Sequence, residues 1–408
     1  MIDLFYYTRY KNFLIRKIFD LITLFFKPEK KSLENVLTYC SKHIDFYRGM
    51  GNSLENYPYI DKKVIKSDFD RFANKKALIK NIGITSGTTG TPGKYYRDIP
   101  SMAAEQYFQN KYFKWNGTYR VIFRGEKLFE PDQQPDKIYR VIPLINEMLI
   151  SSYHINDHTL KILVEKLKTI KGRKSLWAYP SSAYALAEYC LKNNERLKFD
   201  VVALSSEVLL DRSKEIIEEA FECRVKDWYG QAERVAALVR CEAGHYHEID
   251  GYSHMEYLPV RDNTYEIAGT TLHNKIMPLV RFNMHDLVET SQEPCLCGAV
   301  GRNIVKIHGR STDYIELPDR RLSEAPLAAL FKGMENIMEA QVIQRKDKRV
   351  FIRVVRDKEF DDENEKVLIR HISSIIPKEL FTLEYVERIE RDARGKFRHV
   401  INEGIPQQ

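Results

Sequence analysis

The sequence predicts an α/β protein with a second, smaller α+β lobe at the C-terminal end. Three observations carry this expectation. Between Ser101 and Tyr229, short apolar runs of strand length alternate with helical patterns, the signature of layered helices on a parallel sheet. Near the start, an apolar run ends in a loop of glycines and hydroxyls, as at the mouth of such a sheet. The character changes near Gly309, after which strand and helix patterns alternate over roughly ninety residues.

In chain order, Leu4 to Phe26 is rich in Leu, Ile, Phe and Tyr but is interrupted by Arg9, Lys11, Arg16, Lys17 and Asp20. It reads as an amphipathic helix packed on its own domain, with peripheral membrane contact as the other reading. It has neither a spanning length of apolar residues nor a cleavage pattern. Residues 32–80 read as helical around an irregular middle, Gly51 to Pro58. Ile82-Gly83-Ile84 is a short strand, Ser101 to Trp115 a helix and Arg120 to Arg124 a strand. Leu160, Leu163, Val164 and Leu167 recur with a helical period within Thr159 to Ile170. Strands follow at Leu176 to Tyr179, Val201 to Leu204 and Val225 to Tyr229, separated by helices at Ala183 to Leu191 and Arg212 to Phe221. In the second lobe, Leu327 to Met334 and Asp361 to Ile376 read as helices, Val350 to Val355 and Leu383 to Ile389 as strands.

The loop after Ile84 runs Thr85-Ser86-Gly87-Thr88-Thr89-Gly90-Thr91-Pro92-Gly93-Lys94. Glycines let the backbone turn its N–H groups inward, hydroxyls add donors, and Lys94 supplies a mobile cation, so the loop suits a polyphosphate. It fails the ordinary phosphate-loop pattern, because Gly93 lies one residue too far from Gly87 and Tyr95 replaces the magnesium hydroxyl. A plain nucleoside triphosphatase is therefore disfavoured.

Ser86-Gly87-Thr88-Thr89-Gly90-Thr91-Pro92 resembles the phosphate-binding signature of the adenylate-forming superfamily, which includes acyl-CoA synthetases and adenylation domains. Further motifs follow in that family's order. Tyr229-Gly230-Gln231-Ala232-Glu233, read as opening a helix, resembles a Tyr-Gly-x-Thr-Glu motif whose glutamate helps to hold magnesium; Ala232 stands in for the threonine. Arg281 to Asp286 resembles a stretch whose aspartate binds the ribose hydroxyls, with His285 in the place of a glycine. Gly309-Arg310-Ser311-Thr312-Asp313 resembles the hinge, with Arg310 toward the nucleotide and Asp313 as pivot. Arg394-Gly395-Lys396-Phe397-Arg398 resembles the segment that carries the catalytic lysine, here Lys396. Ser205-Ser206-Glu207 matches the strand end that lays out adenine and one wall of the acyl pocket. Ser151 to His154 and Ala178 to Ser182 resemble the phenylacetate–CoA ligase group and its CapK capsular polysaccharide biosynthesis relatives.

Cys295-Leu296-Cys297-Gly298 is a thiolate knuckle, with Cys241, His245 and His247 upstream. Three thiolates and one imidazole make a closed tetrahedral set that suits structural zinc; spacing alone leaves buried free cysteines as an equal reading. The resemblance selects zinc, on Cys241, His247, Cys295 and Cys297, with His245 second and His254 more remote.

What the resemblance implies is a large adenylate-forming domain, residues 1–309, and a small mobile C-terminal domain, residues 310–408. ATP and a carboxylic acid would give an acyl-adenylate, with Mg2+ on Glu233. The acyl group would then pass to CoA or to an amine, as in surface-glycan biosynthesis. A catalytically weakened nucleotide-binding scaffold is the alternative, motivated by Ala232 and His285. A zinc- and nucleic-acid-binding module is disfavoured, since a net charge of +7 spread over 408 residues fits anionic substrates better than a polyanion groove. The six cysteines form no secreted framework, which suggests a cytoplasmic or membrane-peripheral setting.

Overall fold

A computed structural model describes residues 26–29, 31–74, 81–84, 94–124, 128–129, 135–207, 209, 211–310, 314–318, 321–323, 327, 330–331, 334, 336–391 and 397–404. The expected N-terminal helix (bar its last residue, Phe26), the loop residues Thr85 to Gly93, Asp313, Lys396 and half of the expected 327–334 helix lie outside the described residues.

Helix α1 (Leu33–His43) starts at Ser32, whose Oγ accepts from the Asn35 N–H, and buries Val36, Leu37 and Cys40. Two short helices follow, Lys62–Ser67 and Phe69–Phe72, the first capped by Asp61. Strands β1 (Asn81–Ile84) and β2 (Lys94–Arg97) form an antiparallel hairpin whose connection is the glycine and hydroxyl loop. Helix α2 is Ile99–Phe113. Then come β3 (Tyr119–Arg124), β4 (Tyr139–Ile142), β5 (Glu147–Ser151), α3 (Asp157–Lys168), β6 (Lys174–Ala178), α4 (Pro180–Lys192), β7 (Val201–Ser205), α5 (Asp211–Phe221) and β8 (Val225–Gly230). The expected α/β alternation is realised here. Helix α3 begins in a reciprocal cap between Asn156 and Thr159, and the four residues of its predicted stripe are all buried. Each such side chain contributes about 1.5–3 kcal/mol by leaving water.

From β9 onward the chain is antiparallel: β9 (Ala237–Arg240), β10 (Tyr246–Glu248), β11 (Ser253–Arg261), β12 (Thr264–Thr271), β13 (Phe282–Ser291) and β14 (Asn303–Arg310). These join the first half in one twelve-stranded sheet, ordered β11-β12-β13-β14-β10-β9-β8-β7-β6-β3-β5-β4. In this sheet β5, β3, β6, β7 and β8 run parallel to one another, so their carboxyl ends, Ser151, Arg124, Ala178, Ser205 and Gly230, line one edge. One face packs on α3, α4 and α5; the other carries Trp115, Trp228 and the Ala104–Phe113 side of α2.

The expected helix opening after Tyr229 is absent. Residues 231–236 form a turn that feeds β9. Val235 and Ala236 are fully buried there, and the Val235 carbonyl lies so close to Gly269 that a Cβ on that glycine would come within 2.0 Å of it. A helix would carry that carbonyl away from β12; packing overrides local propensity.

The C-terminal lobe holds the hairpin β15 (Tyr314–Glu316) and β16 (Arg321–Ser323). Its four-stranded sheet, ordered β19-β18-β17-β20, comprises β17 (Ile337–Gln344), β18 (Val350–Arg356), β19 (Phe381–Tyr385) and β20 (Val400–Asn402). Helix α6 (Asp362–Ser373) buries Leu368 and Ile372 against that sheet. The expected strand Leu383 to Ile389 lies earlier, at β19. Among the described residues no helix is long and apolar enough to cross a membrane.

Candidate active site and metal centre

Ligands of open α/β sheets sit beyond the carboxyl ends of the parallel strands. Eight of the sequence-selected residues gather there. Tyr229, at the end of β8, donates from its hydroxyl to Asp286 Oδ2 at 2.5 Å. The bond holds the Asp286 carboxylate beside Tyr229. Gln231 donates to Met284 Sδ and accepts from the Ala236 N–H at 3.3 Å, so it braces the turn. Gly230 is packed so that a Cβ would lie 2.7 Å from Trp228 Nε1.

Glu233 is buried at 6% exposure, with Oε1 3.4 Å from Lys62 Nζ and without a hydrogen bond. A buried carboxylate that is ion-paired yet keeps an oxygen without a hydrogen bond is the kind of hard ligand a divalent cation takes. Arg97 donates to the Ala232 carbonyl and so ties down the same turn. Burial and the neighbouring Arg234 push the Arg97 guanidinium down to about 9.

His285 has φ +58°, so the backbone keeps the left-handed form expected of glycine. Holding a non-glycine residue there costs about 1–2 kcal/mol. Three contacts offset it. Asn283 Oδ1 accepts from the His285 N–H at 2.8 Å, and the ring lies 3.4 Å from Glu266 Oε2 and 3.8 Å from Asp61 Oδ2. The bond to Glu266, against burial, raises the His285 pKa. With histidine in this position, β13 keeps its left-handed residue at the irregularity just before Asp286.

At the end of β7, Ser205 is buried and Ser206 adopts φ +76°, turning the chain toward Glu207. The Glu207 carboxylate accepts from the Ser181 N–H at 3.0 Å, from Ser181 Oγ at 3.2 Å and from the Phe397 N–H at 3.0 Å. Ser181 is in the first turn of α4, so the carboxylate satisfies a helix N–H. Phe397 belongs to the C-terminal lobe and directly follows Lys396 in sequence. Burial raises the Glu207 pKa, while these bonds and nearby Arg391 oppose the shift. A second contact between lobes is the Lys192–Asp357 ion pair.

Of the remaining selected residues, Lys94 is exposed at the start of β2, and Arg310 ends β14 with its backbone paired to Asp286. Thr85, Ser86, Gly87, Thr88, Thr89, Gly90, Lys396 and Asp313 lie outside the described residues. Sequence reasoning gave no site role to Arg124 or Lys62, and to Ser181 only a place in the Ala178 to Ser182 motif. Arg124 closes an apolar strand whose preceding three residues are fully buried, and that charge placement was the available signal. The roles of Ser181 and Lys62 arise from contacts distant in sequence and had none.

The cysteine cluster assembles at the other edge of the sheet. Cys241 follows β9, which is antiparallel to β8, so it lies at the amino ends of the parallel strands, away from Glu233. Cys241 Sγ and Cys295 Sγ are 3.6 Å apart, Cys297 Sγ and His247 Nε2 3.3 Å, and all four ligand atoms lie within 4.8 Å of one another. Thiolates about 2.3 Å from a tetrahedral zinc would be about 3.8 Å apart. The set fits, with His247 and neither His245 nor His254 as the imidazole. Its two turns are tight: the Gly244 N–H reaches the Cys241 carbonyl and the Gly298 N–H, with φ +74° at Gly298, the Cys295 carbonyl.

With this geometry in place, the chain can be compared with known proteins. Residues 319–403 match the family model of the CapK C-terminal domain. Across 406 aligned residues the chain is 25% identical to protein CapK of Staphylococcus aureus, covering 92% of this chain and 89% of that one. Among solved structures, a 2-hydroxyisobutyryl-CoA ligase in its postadenylation state with an acyl-AMP superposes with a TM-score of 0.65 at 16% identity, over 91% of this chain and 88% of that one. An anthranilate CoA ligase with anthranoyl-AMP superposes with a TM-score of 0.51 at 11% identity, over 78% and 65%. The fold is that of the adenylate-forming ligases, and the resemblance to their CapK branch stands.

Proposed function

We propose that this chain is an ATP-dependent ligase that converts a carboxylic acid to its acyl-adenylate and then transfers the acyl group to CoA or to an amine, as in capsule or other surface-glycan assembly. The observation that carries the reading is the bond from the Phe397 N–H to Glu207. It joins the lobe bearing Lys396 to the strand end expected to hold the adenylate.

In this reading the acid carboxylate attacks the α-phosphorus and pyrophosphate leaves. Lys396 offsets the charge that builds on phosphorus, the Thr85–Lys94 loop holds the departing phosphates, and Asp286 takes the ribose hydroxyls. Glu233 would hold magnesium, which when bound neutralises charge on the phosphate oxygens. The Cys241, His247, Cys295 and Cys297 set would hold zinc, which fastens the loop between β13 and β14 to β9 and β10. Rotation of the small lobe about Asp313 would then withdraw Lys396 and admit the acceptor. Both ligases in the comparison are named for CoA; the CapK relation favours a glycan amine.

Carboxylate-dependent exchange of labelled pyrophosphate into ATP, across a panel of acids, tests the proposal. Exchange is expected with a subset of acids, and Lys396→Ala loses most of it while ATP affinity stays nearly intact. ATP binding without exchange for any acid would favour the scaffold reading.

A further inference from the structure

We infer that Arg97 is a positioning residue that holds Glu233 in place for the metal ion of the nucleotide, and that the fold gives up stability to keep it there. This deepens the adenylation reading and rests on it.

Glu233 is buried, but its turn borders a cavity. Ala232, Glu233 and Arg234 line that cavity together with Ala104 and Glu105 of α2 and with Tyr252. Close packing begins at Val235, against Gly269. Polar ties locate the preceding residues instead. Arg234 donates from Nη1 to the Ser101 carbonyl at 3.0 Å, and Arg97 donates from Nη2 to the Ala232 carbonyl. Glu233 thus sits between two residues, each tied to a neighbouring element through a guanidinium.

Of the two, Arg97 reaches from β2, whose first residue, Lys94, pairs with Ile84 at the base of the Thr85–Lys94 loop. Its backbone is clamped on both sides. The Tyr96 carbonyl accepts from Asn274 Nδ2 at 2.7 Å, and the Asp98 carboxylate takes the Ser101 and Lys275 N–H groups, each at 2.8 Å. A side chain on so firm a base acts as a strut, and this one fixes the base of that loop against the turn bearing Glu233.

The strut is destabilising in itself. Arg97 Nε is buried and, among the described residues, bonds to no protein atom. The carboxylates that face it, Glu105 and Glu233, pair with Arg234 and Lys62, and Arg234 is a like charge beside it. An apolar side chain of similar volume can replace such a cation without loss of stability, or with a gain. A group that the fold does not need, one bond away from the residue before Glu233, is kept for what that carboxylate does.

Arg97→Met and Arg97→Lys test this in the full chain, by melting of the metal-free protein, ATP binding with and without Mg2+, and pyrophosphate exchange across a magnesium titration. Arg97→Met should melt no lower than wild type and bind ATP equally well without metal. It should lose most of the ATP affinity that magnesium adds and need about tenfold more magnesium for half-maximal exchange. Arg97→Lys, which keeps a donor for the Ala232 carbonyl, should fall between them. A lower melting temperature with an unchanged magnesium requirement would make Arg97 a structural tie and overturn the inference, as would variants equal to wild type throughout. If Arg97→Met does not fold, the stability claim fails, and the magnesium requirement of Arg97→Lys decides the positioning role. Wild type without exchange for any acid overturns the adenylation reading, while melting and ATP binding still judge Arg97.

Discussion

Replacing Glu207 by Gln tests whether this carboxylate couples the two lobes. In the wild type one carboxylate oxygen takes Ser181 Oγ and the Phe397 N–H, and the other takes the Ser181 N–H. An amide has only one acceptor oxygen. If it faces Phe397, its NH2 group confronts the Ser181 N–H; if it flips, Phe397 loses its partner. Either way one part-buried N–H is left unpaired, at about 1–3 kcal/mol, and the surviving bonds lose their charge assistance. If the molecule relaxes by letting go of Phe397, the balance of docked and undocked lobes shifts roughly 5- to 30-fold toward undocked for 1–2 kcal/mol. Energy transfer between dyes on the two lobes reads this directly, and pyrophosphate exchange should fall in proportion. The control is Lys192→Ala. That residue's pair with Asp357 is half-exposed, so its loss is worth at most about 1 kcal/mol and should vanish at high salt. Unchanged lobe separation in Glu207→Gln, or an equal effect of Lys192→Ala at high salt, would refute the argument.

Three further outcomes follow from the site. His285→Gly relieves the left-handed strain but removes the ion pairs to Glu266 and Asp61. Since those pairs raise the histidine pKa, their stabilisation is full below its unfolded value near 6.5 and is lost as pH rises through the higher folded value. The variant should melt higher than wild type, by up to about 1 kcal/mol, at pH ~9 and lose that advantage at pH ~5.5; a pH-independent difference would contradict this. Gly269→Ala forces a Cβ into the Val235 carbonyl and should cost about 3 kcal/mol in urea unfolding, with ATP affinity falling as the Glu233 turn shifts; an unperturbed midpoint would contradict the packing. Elemental analysis of protein purified without added metal should find zinc, and Cys297→Ser should lower its content and the Tm by roughly 5 °C; metal-free wild type of equal stability would remove the zinc proposal.

Which of these features were legible beforehand follows from how far apart their partners are. The α/β half could be read because its signals are local: the stripe of α3 lies within eight residues, and β3, β6 and β7 are short apolar runs. The antiparallel half could not, because β11 and β13 alternate imperfectly and their pairing partners are set by the whole sheet. The misread turn at 231–236 shows the same limit. Its residues suit a helix, and only the approach of Gly269, over thirty positions later, forbids one. At the site, residue types with a narrow chemistry could be named singly, as with Asp286 and Glu233. The partners that orient them could not: Tyr229 is 57 positions from Asp286, and Phe397 is 190 from Glu207.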